Sequence, residues 1–123
     1  MAFEEFTKVK GKFSPRVTIN SRGGFGLSSG MHHRYGLDKY AAVKLFYDKE
    51  SNRIGIKPVE RESDTSFKLK KRDGEGGAYF SAWSFIEAYA IDLGKYAGRY
   101  VPQEIEDQQH GKLFVIDLKA NEH

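Results

Sequence analysis

The stretch Gly23–Asp38, GGFGLSSGMHHRYGLD, decides how this chain is read. Moved along by 54 positions, it meets Gly77–Asp92, GAYFSAWSFIEAYAID, without a gap. Gly23 falls on Gly77, Tyr35 on Tyr89 and Asp38 on Asp92. Phe25 falls on Tyr79, Met31 on Phe85 and Leu37 on Ile91, so apolar character repeats as well.

Each copy has the local chemistry of a glycine turn, a short strand and a short capped helix. In the first, the turn Ser21–Gly24 offers glycine where a positive φ is needed. Ser28 or Ser29 is an N-cap for a helix over Gly30–Tyr35. Gly36 followed by apolar Leu37 is a Schellman ending. A helix of two turns is unstable alone in water, so Met31 and Tyr35, one turn apart, must pack on a sheet. In the second copy Ser81 or Ser84 caps the helix, and Ser84 with Glu87 has capping-box spacing. Ala90 stands where Gly36 stood, although alanine disfavours the left-handed conformation.

Outward from these stretches the chain is rich in strand signals. Arg16–Asn20, RVTIN, alternates and is β-branched. Ala42–Asp48 and Arg53–Val59 flank the turn Lys49–Asn52 as a hairpin, with Pro58 tolerated on an edge strand. Phe67–Lys71 reads as one strand, with Phe67 and Leu69 on one face and lysines on the other. The turn Arg72–Gly77 and a short strand Ala78–Phe80 follow. Tyr100–Pro102 and Lys112–Leu118 read as the last two strands, joined by a polar link over 103–111. Near the start, Phe3, Phe6, Val9 and Phe13 have the spacing of a short amphipathic turn, which Pro15 ends.

The expected fold is therefore α+β and mostly β: two β-β-α-β-β halves, about 13–60 and 65–119, joined by a charged linker at 61–64. Two copies at this period indicate a duplication rather than a solenoid. A pseudo-twofold axis would relate the halves within one compact domain spanning 1–123, a normal size for a single domain. The 13 glycines and the 16 Phe and Tyr residues suit a turn-rich β protein with aromatic packing.

The chain has no cysteine, so thiol catalysis, thiolate metal sites and disulfide staples are excluded. Met1–Lys12 has no apolar run of a secretory signal, and no stretch approaches a membrane span. The expectation is a cytoplasmic protein without a membrane partner. Net charge is +3, but residues 1–100 carry +6 and residues 101–123 carry −3. A basic body with an acidic C-terminal segment suits a polyanionic partner on one face.

The first copy with its flanks, Arg16–Glu60, carries a more specific pattern. Arg22–Gly23 lies at the turn, Leu27–Ser28 ends the second strand, and Tyr35–Gly36–Leu37 closes the helix. Asp48 ends the strand AVKLFYD. This order resembles the AbrB/MazE/MraZ-type DNA-binding domain, with Leu27–Ser28 in the place of the family's Ile–Pro step. The resemblance implies a swapped-hairpin, pseudo-barrel-like fold, here as a tandem repeat in one chain. An intertwined homodimer is the other arrangement the pattern allows. It also implies double-stranded DNA as partner, bound by basic residues on the leading strands and their turns. The matching positions are Arg16 and Arg22 in the first copy and Lys70, Lys71 and Arg72 in the second.

Lys68 adds to the second cluster, which holds four cations in five residues. Their expected role is to neutralise phosphates, with an arginine reaching a base edge. A lysine-rich edge strand that blocks aggregation would have the same composition. The aromatics Tyr79 and Trp83 offer an alternative, a stacking platform for single-stranded nucleic acid of the Pur or PC4 style. A non-catalytic protein-interaction domain, using the acidic stretch Glu104–Asp107, is a third reading. His32 and His33 are adjacent and diverge on a helix, so they do not form a chelating pair. Asp38 and Asp92 are expected to cap or turn the backbone. No nucleophile–base constellation or phosphate-cradling loop is present, so neither enzymatic activity nor a cofactor is expected.

Overall fold

The computed structural model describes residues 2–5, 14–72 and 76–121. Most of the leading segment Phe3–Phe13, and residues 73–75 of the turn Arg72–Gly77, lie outside the described residues. In chain order the elements are β1 Val17–Ile19, β2 Gly24–Leu27, α1 Ser29–Tyr35, β3 Ala42–Asp48 and β4 Arg53–Val59. Then come β5 Phe67–Lys68, β6 Lys70–Lys71, β7 Ala78–Ser81, α2 Trp83–Ala88 and α3 Leu93–Tyr96. The last strands are β8 Gly98–Tyr100, β9 Gln103–Asp107 and β10 Gly111–Asp117. Two antiparallel five-stranded sheets result: sheet A in the order β6-β7-β2-β1-β8, and sheet B in the order β5-β3-β4-β10-β9.

The core is one apolar cluster fed by both sheets. Val17, Ile19, Phe25, Leu27, Phe80 and Tyr100 come from sheet A, and Val43, Ile54, Ile56, Phe114 and Ile116 from sheet B. Met31, Leu37, Phe85 and Ile86 close the ends from the helical segments. Each large side chain removed from water stabilises the fold by roughly 1.5–3 kcal/mol. At the middle of sheet A, Phe25 and Phe80 are directly paired, with ring centroids 5.0 Å apart and planes 12° from parallel.

The first copy forms as its local chemistry dictates. The Ser28 hydroxyl accepts from the Met31 N–H and caps α1. It also accepts from the Arg16 N–H at 2.9 Å and donates to the Ser14 carbonyl, tying the entry to β1 to the start of the helix. Gly36 ends α1 at φ 64, its N–H donating to the His32 carbonyl. Met31 is buried, and the half-buried Tyr35 packs on Phe114 at 4.4 Å. The hairpin β3–β4 has the expected bounds, with Asn52 at φ 55 in its turn.

Elsewhere the structure departs from the sequence pattern. Phe67–Lys71 is not one strand. It breaks at Leu69, which is buried and whose N–H donates to the Ala41 carbonyl, so the chain leaves sheet B as β5 and enters sheet A as β6. The polar link over 103–111 contains β9, an edge strand with only Ile105 to mark its inner side. The strand expected at Tyr100–Pro102 is shifted upstream, as β8. Pro58 is not on an edge strand, because β4 is interior. However, its pairing with β10 covers only Arg53–Ile56, so Pro58 interrupts no ladder on that side.

The second helix is capped differently from the expectation. Ser81 belongs to β7 and Ser84 lies inside α2, while the N-cap position is Ala82, without a side-chain bond. Ala90 nevertheless adopts φ 51, the left-handed conformation of its counterpart Gly36. The gapless alignment also slips by one residue along the strands. It matches Phe25 with Tyr79, yet Phe25 is buried and Tyr79 is 41% exposed. A one-residue slip reverses the face of every side chain. The inward partner of Phe25 is Phe80.

Candidate nucleic-acid interface

The outer face of sheet A is built from the alternate residues that the core does not use. Its register sets Arg99 opposite Thr18, Thr18 opposite Gly26, Gly26 opposite Tyr79 and Tyr79 opposite Lys70. Directly opposed residues share a face. One row of side chains therefore crosses all five strands, with a cation at each end and glycine in the centre. At the usual strand spacing the row is about 19 Å wide.

Gly24 and Gly26 form the floor of a shallow groove of about 450 Å³, walled by Thr18, Asn20, Ser28, Arg72, Tyr79 and Ser81. The Arg72 guanidinium lies 5.5 Å from the centroid of the Tyr79 ring, and Lys70 Nζ lies 6.0 Å from it. Each such contact at an exposed site contributes about 0.5–1 kcal/mol. The groove thus has an exposed aromatic wall with two cations near its ring. Among the described residues, no Asp or Glu lines it.

Two backbone devices hold the ends of the groove. At one end, Asn20 Oδ1 accepts from the N–H groups of Arg22 and Gly24, at 2.8 and 2.9 Å, which fixes the tight turn that presents Arg22. Gly23, at φ 82, lies under the Trp83 ring, where an added Cβ would sit 3.0 Å from the indole. At the other end Gly77 adopts φ 90, and a Cβ there would lie 2.2 Å from the Leu27 carbonyl oxygen. The Arg72 N–H donates to the Gly77 carbonyl, which anchors the backbone that carries the Arg72 side chain.

The basic positions singled out from the sequence are only partly brought together. Lys70 and Arg72 both approach the Tyr79 ring, and of the two Arg72 lines the groove. Arg22 is exposed at the opposite end of β2, because Gly24 pairs with Ser81 and Leu27 with Ala78. Lys71 is exposed but pairs with buried Ala78, so it stands on the other side of the sheet edge from Lys70. Lys68 is on the edge of sheet B. Arg16 is half-buried, and its Nη1 donates to the neighbouring Pro15 carbonyl. Trp83 is 53% exposed and lies outside the groove lining, over Gly23.

Arg99 is the residue that sequence reading missed. It lies in GRY, whose Tyr100 is buried with Arg99 exposed beside it. That alternation is the signal, but three residues are too few to fix a register without the partner strand β1. Burial pushes the Tyr100 phenol up to about 12, with nearby Tyr96 and Asp117 adding to the shift. Its hydroxyl donates to the Tyr96 carbonyl, which ties β8 to α3.

Of the two aspartates, Asp92 is the N-cap residue of α3, through its backbone carbonyl, which accepts from the Lys95 and Tyr96 N–H groups. Asp92 makes no side-chain cap bond to α3, and Asp38 Oδ1 lies 3.9 Å from His32 Nδ1. Among the described residues, no three His, Asp or Glu side chains converge as a metal site requires. No protein-family model, curated protein or solved structure matches the chain.

Proposed function

We propose that this protein binds nucleic acid on the outer face of sheet A, with double-stranded DNA as the leading partner and a regulatory or accessory role in transcription. The observation that carries the reading is the row from Arg99 to Lys70 across a glycine-floored groove that no carboxylate lines among the described residues. Cations at the two edges, with Arg72 and Arg22 at the two ends, match a phosphate backbone laid across the face. Thr18, Asn20 and Ser81 supply neutral hydrogen-bonding groups between them.

The duplicated, swapped-hairpin reading of the fold is supported by strand order. The leading strands β1 and β2 meet their counterparts β6 and β7 in sheet A, and β4 meets β10 in sheet B, whereas β8, the strand that the repeat sets on β3, lies in sheet A. The outermost strands β8 and β5 then extend the two sheets.

One observation favours a second partner. Tyr79 is exposed on a sheet face with two cations near its ring, a composition on which an unpaired base can stack. Single-stranded nucleic acid is therefore the second reading.

Binding of the full chain to duplex and single-stranded DNA of the same sequence, at two salt concentrations, tests both. We expect binding that falls steeply with salt. Arg99→Ala and Lys70→Ala/Arg72→Ala should each weaken it at least fivefold, with unchanged melting temperature. Tyr79→Ala should weaken single-strand binding far more than duplex binding if bases stack there. Absence of binding to either form at low salt ends the proposal.

A further inference from the structure

A second cationic site lies away from this face. The segment from the end of α1 into the following 3-10 turn, the end of β4 and the β9–β10 turn enclose a pocket of about 420 Å³. Arg34, Lys39, Lys57 and Lys112 line it, together with Tyr35 and Tyr40, and among the described residues no Asp or Glu does. In the whole chain, cations barely outnumber acids, 20 to 17. Four cations around one small concavity, with one carboxylate, Glu104, at its rim beside Lys112, is therefore a local arrangement rather than the average surface.

Three features make this pocket more than a solvated patch. Lys57 is directly opposite Lys44 on β3, and both are half-buried. Like charges directly opposed across a sheet destabilise it. Neither lysine has a carboxylate within ion-pair distance among the described residues. Next, Glu104 holds Lys112 at 3.8 Å on the rim and also reaches Tyr35. Burial, with the hydrogen bond and charge of Glu104, raises the Tyr35 hydroxyl above its ordinary value, and Arg34 opposes that shift. Finally, the Tyr35 ring packs on buried Phe114, which positions this wall of the pocket.

We infer that this pocket binds a compact, multiply charged phosphate anion, a free oligophosphate or the oligophosphate of a small molecule. Four cations lining one concavity can offset several negative charges on a small ligand. An extended nucleic-acid backbone, with one charge per phosphate, suits the open face of sheet A better than a pocket of this size. The bound anion would offset the repulsion between Lys44 and Lys57, so occupancy should stabilise the fold by linkage. This inference does not rest on nucleic-acid binding.

Titration calorimetry of the full chain at low salt, with inorganic triphosphate as the probe, tests it. We expect saturable one-to-one binding, at least tenfold tighter than orthophosphate, and a rise in melting temperature. Lys39→Gln/Lys57→Gln should lose at least tenfold in affinity, whereas Lys70→Gln/Arg72→Gln should stay within twofold of the parent. Ligand-free Lys57→Gln should melt no lower than the parent, since it removes a like-charge pair. Should the double variant not fold, Arg34→Gln and Lys112→Gln carry the same expectation. Absence of saturable binding, parity with orthophosphate or an equal loss in both double variants overturns the inference. Displacement of triphosphate by an oligonucleotide without terminal phosphates, at equal phosphate concentration, would assign the pocket to a nucleic-acid backbone and overturn it too.

Discussion

Phe25 and Phe80 stack at 5.0 Å across the centre of sheet A, each 1% exposed, and so join the two halves of the chain at one point. Phe67 packs against the same Phe80 ring at 6.5 Å. Phe80→Ala removes a buried ring on which both β2 and β5 rest. A loss of about 3–5 kcal/mol is expected, read as a fall in the midpoint of urea denaturation. Phe80→Leu should cost clearly less, because it leaves a smaller cavity.

Gly77 and Ala90 give substitutions of opposite sign. Gly77→Ala forces a Cβ against the Leu27 carbonyl and strains φ 90, so it should destabilise by at least about 2 kcal/mol. Ala90→Gly relieves a left-handed alanine at φ 51 and should stabilise by about 1 kcal/mol. Thermal melting of the two variants beside the parent reads both effects.

Ser28 serves three partners, the N–H groups of Met31 and Arg16 and the carbonyl of Ser14. Loss of an N-cap alone costs about 1 kcal/mol. Ser28→Ala should exceed that value, because the segment entering β1 loses its anchor as well. Hydrogen exchange should speed up at the Arg16 amide as well as in the first turn of α1. If only the α1 amides respond, the tie to β1 carries no energy.

Tyr100 gives stability a dependence on alkaline pH. Its phenol titrates near 10 in an unfolded chain and is pushed up to about 12 in the fold. The neutral form is favoured by folding, so this contribution is complete below pH 10 and is lost as pH rises from 10 through 12. Denaturant midpoints between pH 9 and 12 should fall more steeply for the parent than for Tyr100→Phe. Parallel curves would show that the phenol does not titrate with folding.

The repeat read at Gly23–Asp38 predicted the mixed, mostly β composition, the serine-capped helix, the Gly36 ending and the hairpin Ala42–Val59. All of these depend on neighbours within a few residues. Ser28 finds its donor three residues on, Gly36 bonds back to His32, and Asp48 and Arg53 are joined by a tight turn. Their physics is local, so the sequence carries it.

Sequence alone could not assign faces. Tyr79 and Phe25 align, but only the pairing of β2 with β7 makes one an exposed groove wall and the other core. Lys68, Lys70 and Lys71 are near neighbours in the chain. The switch at Leu69 from one sheet to the other sends them to different edges and faces. Arg99 and Lys70, nearly thirty residues apart, end in one row because β8 and β6 flank the same sheet. Alternation in a two- or three-residue strand is too brief to specify a register, so the buried surface of the whole molecule selects it. The sequence thus determined the kinds of elements and their order. The tertiary structure decided which cations share a surface, because that depends on hydrogen-bonded partners far away along the chain.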